Sequence, residues 1–311
     1  MGKEIRYQIE DLPAYNQHLR TMNLSRQHET NGESCVFTGA GDSFAAAKAA
    51  EYLSGFQARA LDPYDICLRP NLLKGKHLFV ISVSGRTKTN IEAARAVRGI
   101  AEKVTAITAD DRSVLAQNCD DCIRLRFRRT GELTPGTGSF TATLLACYSR
   151  IGPLPEIANL GHLFDECVKW SETLELPSDG ATFIVGTGLN YCMAMYGAAK
   201  IYEVLSWKSQ YQATEQFSHM ELFSLSEKDV VLVLPDSTED SKAILLEHLL
   251  KANRWNVARL DPWHDDTIYG SIGTAICLQI LAWRTALRAG LQECSFKAKA
   301  HHLRVSDEMI Y

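Results

Sequence analysis

Residues 34–55 read SCVFTGAGDSFAAAKAAEYLSG, an apolar run followed by a glycine turn and an alanine-rich stretch. The run of β-branched and aromatic residues that ends in glycine predicts a buried strand, and the alanine-rich stretch predicts a helix. Further strands are predicted at 76–85, 103–110 and 121–127, and further helices at 89–101, 112–118 and 138–152. This alternation favours an α/β fold with a doubly wound parallel sheet.

The pattern restarts at residue 181. TFIVGTGLNY aligns with CVFTGAGDSF by its glycines, since Gly186 and Gly188 follow Gly39 and Gly41 at an offset of 147 residues. Strands are predicted at 181–188, 229–236 and 255–261, and helices at 189–207, 241–253 and 271–290. We therefore predict two related α/β halves. The expected bounds are a helical lead-in at 1–33, a first domain at 34–153, a connector helix at 154–180, and a second domain at 181–311 with a polar C-terminal tail.

The composition is that of an ordinary globular protein, with 46% hydrophobic and 23% charged residues and a net charge of −4. This charge gives no general attraction to nucleic acid or to an anionic membrane. The polar N-terminal segment is no secretory signal, and no apolar run approaches the ~20 residues of a membrane span. We expect a cytoplasmic protein without nucleic-acid or membrane partners.

Nine cysteines are scattered through apolar segments, and Cys119 and Cys122 form the single CxxC motif. A structural zinc site normally needs a second such pair or a histidine pair. The sequence has neither at suitable spacing, so we expect reduced thiols and no metal. The strand–GxG–helix units also lack the third glycine of a dinucleotide fingerprint, and we expect no cofactor.

SVSGRTKTN (82–90) follows a predicted strand and opens a predicted helix. Its residues Ser82, Ser84 and Thr87 supply hydroxyl groups around Gly85, and the helix start supplies free N–H groups. This arrangement can hold a phosphate monoester. It also suits a helix start that is simply capped by serine or threonine, and the residues alone leave both interpretations open. The loop TPGTGSFTAT (134–143), with Thr137, Gly138 and Ser139, has the same two interpretations.

A helical lysine and glutamate three residues apart occur twice, in AAKAAEYL (46–53) and AAKIYEVL (198–205). Only the second copy has a histidine at short range, because His219 follows Glu203 by 16 residues. A carboxylate and an imidazole in one cleft can move protons on a sugar. The residues alone favour an ordinary ion pair between Lys200 and Glu203 on a helix surface, which is of little energetic value.

Together these motifs resemble the sugar isomerase (SIS) domain family, in particular proteins with two such domains in tandem. The family's phosphate loop, S-x-S-G-x-T, is matched by residues 82–87, and its sugar-contacting serine by Ser43 in GAGDSF. Residues 137–139 match the loop before the closing helix. The resemblance implies flavodoxin-like three-layer domains, a phosphorylated sugar substrate and a homodimer with shared active sites.

The resemblance also implies roles in the second half of the chain. Glu203 matches the base that moves a proton between C1 and C2, and His219 matches a ring-opening group that is lent to the neighbouring subunit. Lys200 then positions the substrate or stabilises charge. The family's C-terminal catalytic lysine is replaced, with Arg304 near that position and Lys297 and Lys299 as nearby candidates. The glutaminase segment of the related synthases has no counterpart, so we expect no ammonia from glutamine.

These features predict an enzyme acting on a hexose or hexosamine 6-phosphate, by aldose–ketose isomerisation or by deamination. The alternatives are a phosphosugar-amine deglycase, an isomerase of glucose or mannose phosphates, and a sensor that binds a sugar phosphate without turnover. Residues 1–33 are short for a DNA-binding domain, and a sensor needs neither Glu203 nor His219.

Overall fold

The computed structural model describes residues 1–24, 34–132, 134–157, 160–263, 266–291, 295 and 299–311. They form an α/β fold with two parallel sheets, as the alternation of strands and helices predicts. The chain divides into two compact units. The first-sheet unit comprises Glu10–Arg129, Gly138–Ala158 and His301–Tyr311, and the second-sheet unit comprises Met1–Ile9, Thr130–Thr137 and Asn159–Ala300.

The strands are β1 (Cys35–Gly39), β2 (Arg59–Leu61), β3 (His77–Ile81), β4 (Lys103–Thr108), β5 (Asp121–Arg124), β6 (Ala181–Gly186), β7 (Lys208–Ala213), β8 (Val230–Leu234) and β9 (Asn256–Arg259). The helices are α1 (Gly2–Leu24), α2 (Asp42–Leu53), α3 (Pro63–Leu68), α4 (Lys88–Ala96), α5 (Val114–Gln117), α6 (Gly138–Ile151), α7 (Gly161–Glu172), α8 (Leu189–Lys200), α9 (Thr214–His219), α10 (Ser241–Ala252), α11 (Thr267–Arg288) and α12 (Ala300–Ile310).

The two sheets share one topology. The strand order is β2-β1-β3-β4-β5 in the first sheet and β7-β6-β8-β9 in the second. The order reverses between β1 and β3, and again between β6 and β8, and such switch points are where open parallel sheets bind ligands. At these points Gly39 lies opposite Ile81, and Gly186 lies opposite Leu234. The loop that begins at Ser82 therefore opens at the first switch point.

The repeated glycines have the same geometry in both halves. Gly41 and Gly188, which precede α2 and α8, have φ/ψ of 59/−126° and 57/−130°. This is a conformation that essentially only glycine adopts. A Cβ on Gly39 would lie 2.6 Å from Ser43 Cβ, and one on Gly186 would lie 2.3 Å from the Asn190 carbonyl oxygen. The glycines thus permit the same close approach of strand end and helix start in each half.

Two strands, β2 and β7, are not predicted by the sequence. β7 reads KSQYQA, is partly exposed and lies at the edge of its sheet. Edge strands face water on one side and so lack the apolar run that identifies β8, which is buried at all five positions. The prediction of one continuous α-helix at 189–207 is also wrong at its C-terminal end. There α8 ends at Lys200, and a π-helical turn, Ile201–Leu205, follows it.

The C-terminal helix α12 is largely exposed, and residues His301–Tyr311 group with the first-sheet unit. The sequence assigned this tail to the second half, and α7 lies within the predicted connector. The predicted domain bounds stay a prediction. Within the described ranges, no helix is both long enough and apolar enough to cross a membrane.

Candidate functional site

The loop after β3 brings three hydroxyl-bearing side chains to the first switch point. Ser82 is buried, and its Oγ lies 3.1 Å from Thr87 Oγ1. The Gly85 N–H donates to the Ser82 carbonyl at 3.0 Å, and the Arg86 N–H donates to Ser84 Oγ at 3.3 Å. These bonds fold residues 82–87 into a compact turn directly before α4. We refer to these six residues as the phosphate loop.

The start of α4 is open to a ligand. Thr87 stands in the capping position, yet within the described part of the chain no side chain caps this helix. The hydroxyl of Thr87 contacts Ser82 instead, so the interpretation of this loop as a plain capped start is wrong. The first turn of α4 also contains no acidic residue. Its unpaired N–H groups and the positive end of the helix dipole therefore favour an anion.

Gly85 is required by the shape of this loop. Its φ is +63°, and a Cβ at this position would lie 2.1 Å from Ser113 Oγ. The Ser113 side chain accepts a hydrogen bond from the Ala116 N–H and so caps α5, while the Leu115 N–H donates to the Gly85 carbonyl at 3.0 Å. Gly85 therefore connects the phosphate loop to the loop that follows β4.

The other predicted substrate-binding residues lie at helix starts. Ser43 is buried in the first turn of α2, and its N–H donates to the Ala40 carbonyl at 3.2 Å. Gly138 and Ser139 begin α6. Thr137 precedes them and is 1% exposed, and its hydroxyl has no hydrogen-bond partner among the described residues.

The loop before α6 is held by side chains of the second-sheet unit. The Tyr196 hydroxyl donates to the Gly136 carbonyl at 2.6 Å, and Gln279 Nε2 donates to the Thr137 carbonyl at 3.4 Å. Tyr196 lies on α8, one turn before Lys200, and its ring lies 5.0 Å from the Lys200 ammonium. One side chain thus contacts both the predicted substrate loop and a predicted catalytic residue. Sequence reasoning missed Tyr196, because a tyrosine in an apolar helix is typical of a core.

Lys200 and Glu203 form the predicted ion pair, but their exposures differ sharply. Lys200 is completely buried at the end of α8, whereas the Glu203 side chain is 40% exposed. Glu203 lies on the π-helical turn Ile201–Leu205, and such turns are frequent at functional sites. The ammonium thus binds the carboxylate from the protein side and leaves the carboxylate within reach of solvent and ligands.

The first copy of the motif has the opposite arrangement. The Glu51 side chain is only 4% exposed, and it pairs with Lys48. Its carboxylate also accepts the Ala60 N–H at 3.1 Å and lies 3.2 Å from Arg59 Nε. These contacts join α2 to β2. Glu51 is therefore a buried residue that stabilises the packing of α2 against β2. This agrees with the absence of a catalytic residue at this position in the SIS family pattern.

His219 lies at the end of α9, with a side chain that is 69% exposed. Its Nε2 is 3.1 Å from Glu215 Oε1, and hydrogen bonds from Lys242 and His219 lower the pKa of the Glu215 carboxyl. The described hydrogen bonds of His219 do not include Glu203. The structure of one chain therefore presents both side chains to solvent without joining them.

The loop at the second switch point is acidic, whereas the phosphate loop at the first carries a positive charge on Arg86. The residues after β8 read PDSTED (235–240), where the first half has the phosphate loop. Asp240 accepts the Ala243 N–H at 3.0 Å and caps α10, so this helix start is closed. Burial raises the pKa of Asp236, whose carboxylate lies against Gly188. A phosphate would meet carboxylates here, so the geometry favours a single phosphate loop per chain.

The C-terminal candidates are exposed. Arg304 lies on α12 and Lys299 directly precedes it, while Lys297 lies outside the described residues. The described contacts of Arg304 include none of the predicted substrate residues. Tyr311, which no sequence motif identifies, instead contacts the phosphate loop at Arg86, whose guanidinium lies 5.8 Å from the centre of its ring.

The CxxC cysteines are free thiols of low reactivity. Burial raises the pKa of Cys119 to about 12 and that of Cys122 to about 11. A thiol is a nucleophile or metal ligand only as a thiolate. Within the described residues no three histidine, cysteine or acidic side chains converge as a metal site would require.

Comparison with known protein families matches one segment of the chain. Residues 30–151 match the SIS domain. This segment contains β1 to β5, the phosphate loop and all of α6. No curated protein sequence matches the chain significantly.

Solved structures extend the likeness to nearly the whole chain. Glucosamine-6-phosphate deaminase from Thermotoga maritima matches with a TM-score of 0.80 at 19% identity, over 94% of this chain and 95% of that one. The C-terminal domain of glucosamine-fructose-6-phosphate aminotransferase from Francisella tularensis gives 0.72 at 18% identity, over 94% and 96%. Tagatose-6-phosphate ketose/aldose isomerase from Escherichia coli gives 0.68 at 16%, over 92% and 90%. At these identities the likeness establishes the fold.

Proposed function

We propose that the chain is a phosphosugar-processing enzyme built from two SIS domains in tandem, and that it binds a hexose or hexosamine 6-phosphate. The observation that carries this proposal is the phosphate loop. It gathers three hydroxyl groups before a helix whose first turn has neither a side-chain cap nor an acidic residue. The SIS match covers this loop, and the solved structures of similar fold include phosphosugar enzymes.

In this proposal Glu203 is the catalytic base. The exposed carboxylate removes the proton from C2 of the open-chain sugar, and an enediol or enediolamine forms. Return of the proton to C1 completes the conversion of aldose to ketose. Lys200 orients the carboxylate through the ion pair, because the buried ammonium is fixed against the Tyr196 ring. With a 2-amino sugar the same proton transfer gives a ketimine, and water then releases ammonia from it.

His219 is the proposed ring-opening group, which moves a proton between the ring oxygen and the C1 hydroxyl. An imidazole side chain suits this step because it can both donate and accept a proton. We propose that it acts in the site of a second subunit. Met220 and Phe223 flank it with 50% and 84% exposure, and exposed apolar side chains of this size favour a covered interface. An active protein that stays monomeric at assay concentrations would exclude this arrangement.

Arg304 and Lys299 are proposed as C-terminal groups near the substrate, and the protein is proposed to act in the cytoplasm. Deglycase activity on a phosphosugar amine, and isomerisation of glucose or mannose phosphates, use the same base and remain alternative reactions. A sugar-phosphate sensor is the alternative of another class. It would use the phosphate loop alone and would give no role to the exposed Glu203 carboxylate.

The test is a screen of hexose and hexosamine 6-phosphates that measures ketose formation and ammonia release together. Turnover that Glu203→Gln abolishes, with binding retained, is the expected result. Binding without turnover of any of these compounds in the wild type would favour the sensor. Ser84→Ala is expected to weaken binding of phosphorylated sugars and to leave free sugars unchanged. Equal losses for both would exclude the phosphate assignment.

A further inference from the structure

A cavity of about 950 Å³ adjoins the phosphate loop on the first-sheet unit. It lies beyond the ends of β3, β4 and β5. Ser84 and Arg86 line it from the phosphate loop, residues 124–129 line it after β5, and Tyr15 lines it from α1. Cavities of this size commonly hold a small molecule. The cavity thus shares Ser84 and Arg86 with the phosphate loop and extends away from it along residues 124–129.

The lining of this cavity is strongly basic. It contains five arginines and two aspartates, which are Arg86, Arg124, Arg126, Arg128, Arg129, Asp11 and Asp110. Asp11 is paired with Arg128, whose Nε lies 2.7 Å away, and Asp110 accepts the Arg112 N–H at 2.9 Å. With five arginines against two aspartates, the lining keeps a net positive charge. Arg124 pairs with Asp111 at 3.3 Å.

Three of the arginines have no such partner. Within the described residues no carboxylate lies within 4.0 Å of Arg86, Arg126 or Arg129. The guanidinium groups of Arg86 and Arg129 instead lie over aromatic rings, 5.8 Å from the centre of the Tyr311 ring and 4.9 Å from the centre of the Phe127 ring.

A guanidinium over an aromatic ring keeps its charge and its N–H donors, which can bind an oxyanion. Arg126 adds a further positive charge to the lining. Its effect is visible at His18, whose pKa is lowered by burial and, second, by the charge of Arg126. Three unneutralised guanidinium groups around one concave surface attract a counter-anion.

We infer that this cavity is a second anion site, for a small molecule bearing a phosphate or carboxylate group bound by Arg86, Arg126 and Arg129. The inference rests on the proposed function only in treating the phosphate loop as the first anion site. The anionic group is either a second acidic group of the sugar phosphate itself or a separate anionic effector. Both share the chemistry of an oxyanion held by guanidinium N–H groups.

The test is calorimetric titration with inorganic pyrophosphate as the probe. Arg126→Gln/Arg129→Gln removes two free guanidinium groups from the cavity. Arg95→Gln/Arg98→Gln is the matched control, since these exposed arginines contact the Asn118 side chain and do not line the cavity. We expect the cavity variant to weaken pyrophosphate binding about tenfold or more, because charge-assisted hydrogen bonds are lost. Unchanged binding, or an equal loss in the control, overturns the inference.

Two further titrations identify the source of the anion. If Arg126→Gln/Arg129→Gln weakens fructose 1,6-bisphosphate and leaves fructose 6-phosphate unchanged, the cavity holds a second group of the sugar. If pyrophosphate still binds to protein saturated with fructose 6-phosphate, the occupant is a separate effector. If no sugar phosphate binds, yet pyrophosphate binding depends on these arginines, the proposed function fails and the second site stands.

Discussion

Gly85→Ala is the substitution that tests the geometry of the phosphate loop most severely. The new methyl group meets two obstacles. The residue must keep a φ of +63°, and its Cβ would lie 2.1 Å from Ser113 Oγ and 2.2 Å from Ser113 Cβ. These are side-chain contacts within a packed turn, so Ser113 has to move. Its cap on the start of α5 is then lost.

The expected loss in free energy of unfolding is the sum of three costs. The left-handed conformation costs about 1 to 2 kcal/mol for a non-glycine residue, loss of a serine cap costs about 1 kcal/mol, and overpacking adds about 1 to 3 kcal/mol. Gly75→Ala is the matched control. Gly75 has a φ of +66° in the same unit, but a Cβ there has no atom within 4 Å. Only the first cost applies to it, so the two variants should differ by about 2 to 4 kcal/mol.

Thermal unfolding and phosphosugar binding should be measured on both variants. A difference of this size corresponds to a melting temperature about 5 to 15 °C lower for Gly85→Ala than for Gly75→Ala. Gly85→Ala should also lose phosphosugar binding, because displacement of Ser113 shifts the phosphate loop, whereas Gly75→Ala should bind as the wild type does. If Gly85→Ala binds sugar phosphates normally, the loop does not hold the phosphate.

Two further predictions follow from other residues. Tyr196→Phe removes the hydrogen bond to the Gly136 carbonyl and should raise the KM for the phosphosugar several-fold, while Tyr202→Phe, which loses a backbone bond at β7, should leave KM unchanged. Equal KM values for the two variants would contradict a positioning role for Tyr196. Cys119 and Cys122 should resist alkylation by iodoacetamide at about pH 8 and react only as the pH rises, because raised pKa values keep them protonated. Rapid labelling of either at that pH, followed by mass spectrometry, would contradict their assignment as thiols of low reactivity.

The sequence predicts seven of the nine strands. Five of them, β1, β3, β4, β6 and β8, are largely apolar and buried, as the inner strands of a parallel sheet require. It predicts the repeat because the close approach of strand end and helix start requires glycine at Gly39 and Gly186. It misses β7 because an edge strand can be polar. The change from α to π geometry after Lys200 is also missed, since helix periodicity is nearly the same on either side of a single π turn.

The residues of the candidate site are predicted by motif, but their environments are not. Nothing in AAKAAEYL or AAKIYEVL shows that Glu51 is buried and Glu203 exposed, since this depends on which side of each helix the sheet and the neighbouring helices cover. The difference between the two switch points can be predicted from the sequence, because the acidic loop PDSTED contrasts in charge with SVSGRT in the first half. The basic cavity cannot be predicted in this way, because its arginines come from two separate segments of the sequence.

The central claim, that Glu203 removes a proton from carbon, can be measured directly. Wild-type protein, Glu203→Gln and Glu203→Asp should each be incubated with [2-²H]glucose 6-phosphate and [2-²H]glucosamine 6-phosphate, and deuterium at C2 followed by NMR. We predict that the wild type removes deuterium from C2 of at least one compound, and that Glu203→Gln binds the same compound and leaves its C2 deuterium in place. Loss of C2 deuterium at the wild-type rate in Glu203→Gln, or its full retention by wild-type protein that binds both compounds, would contradict the account.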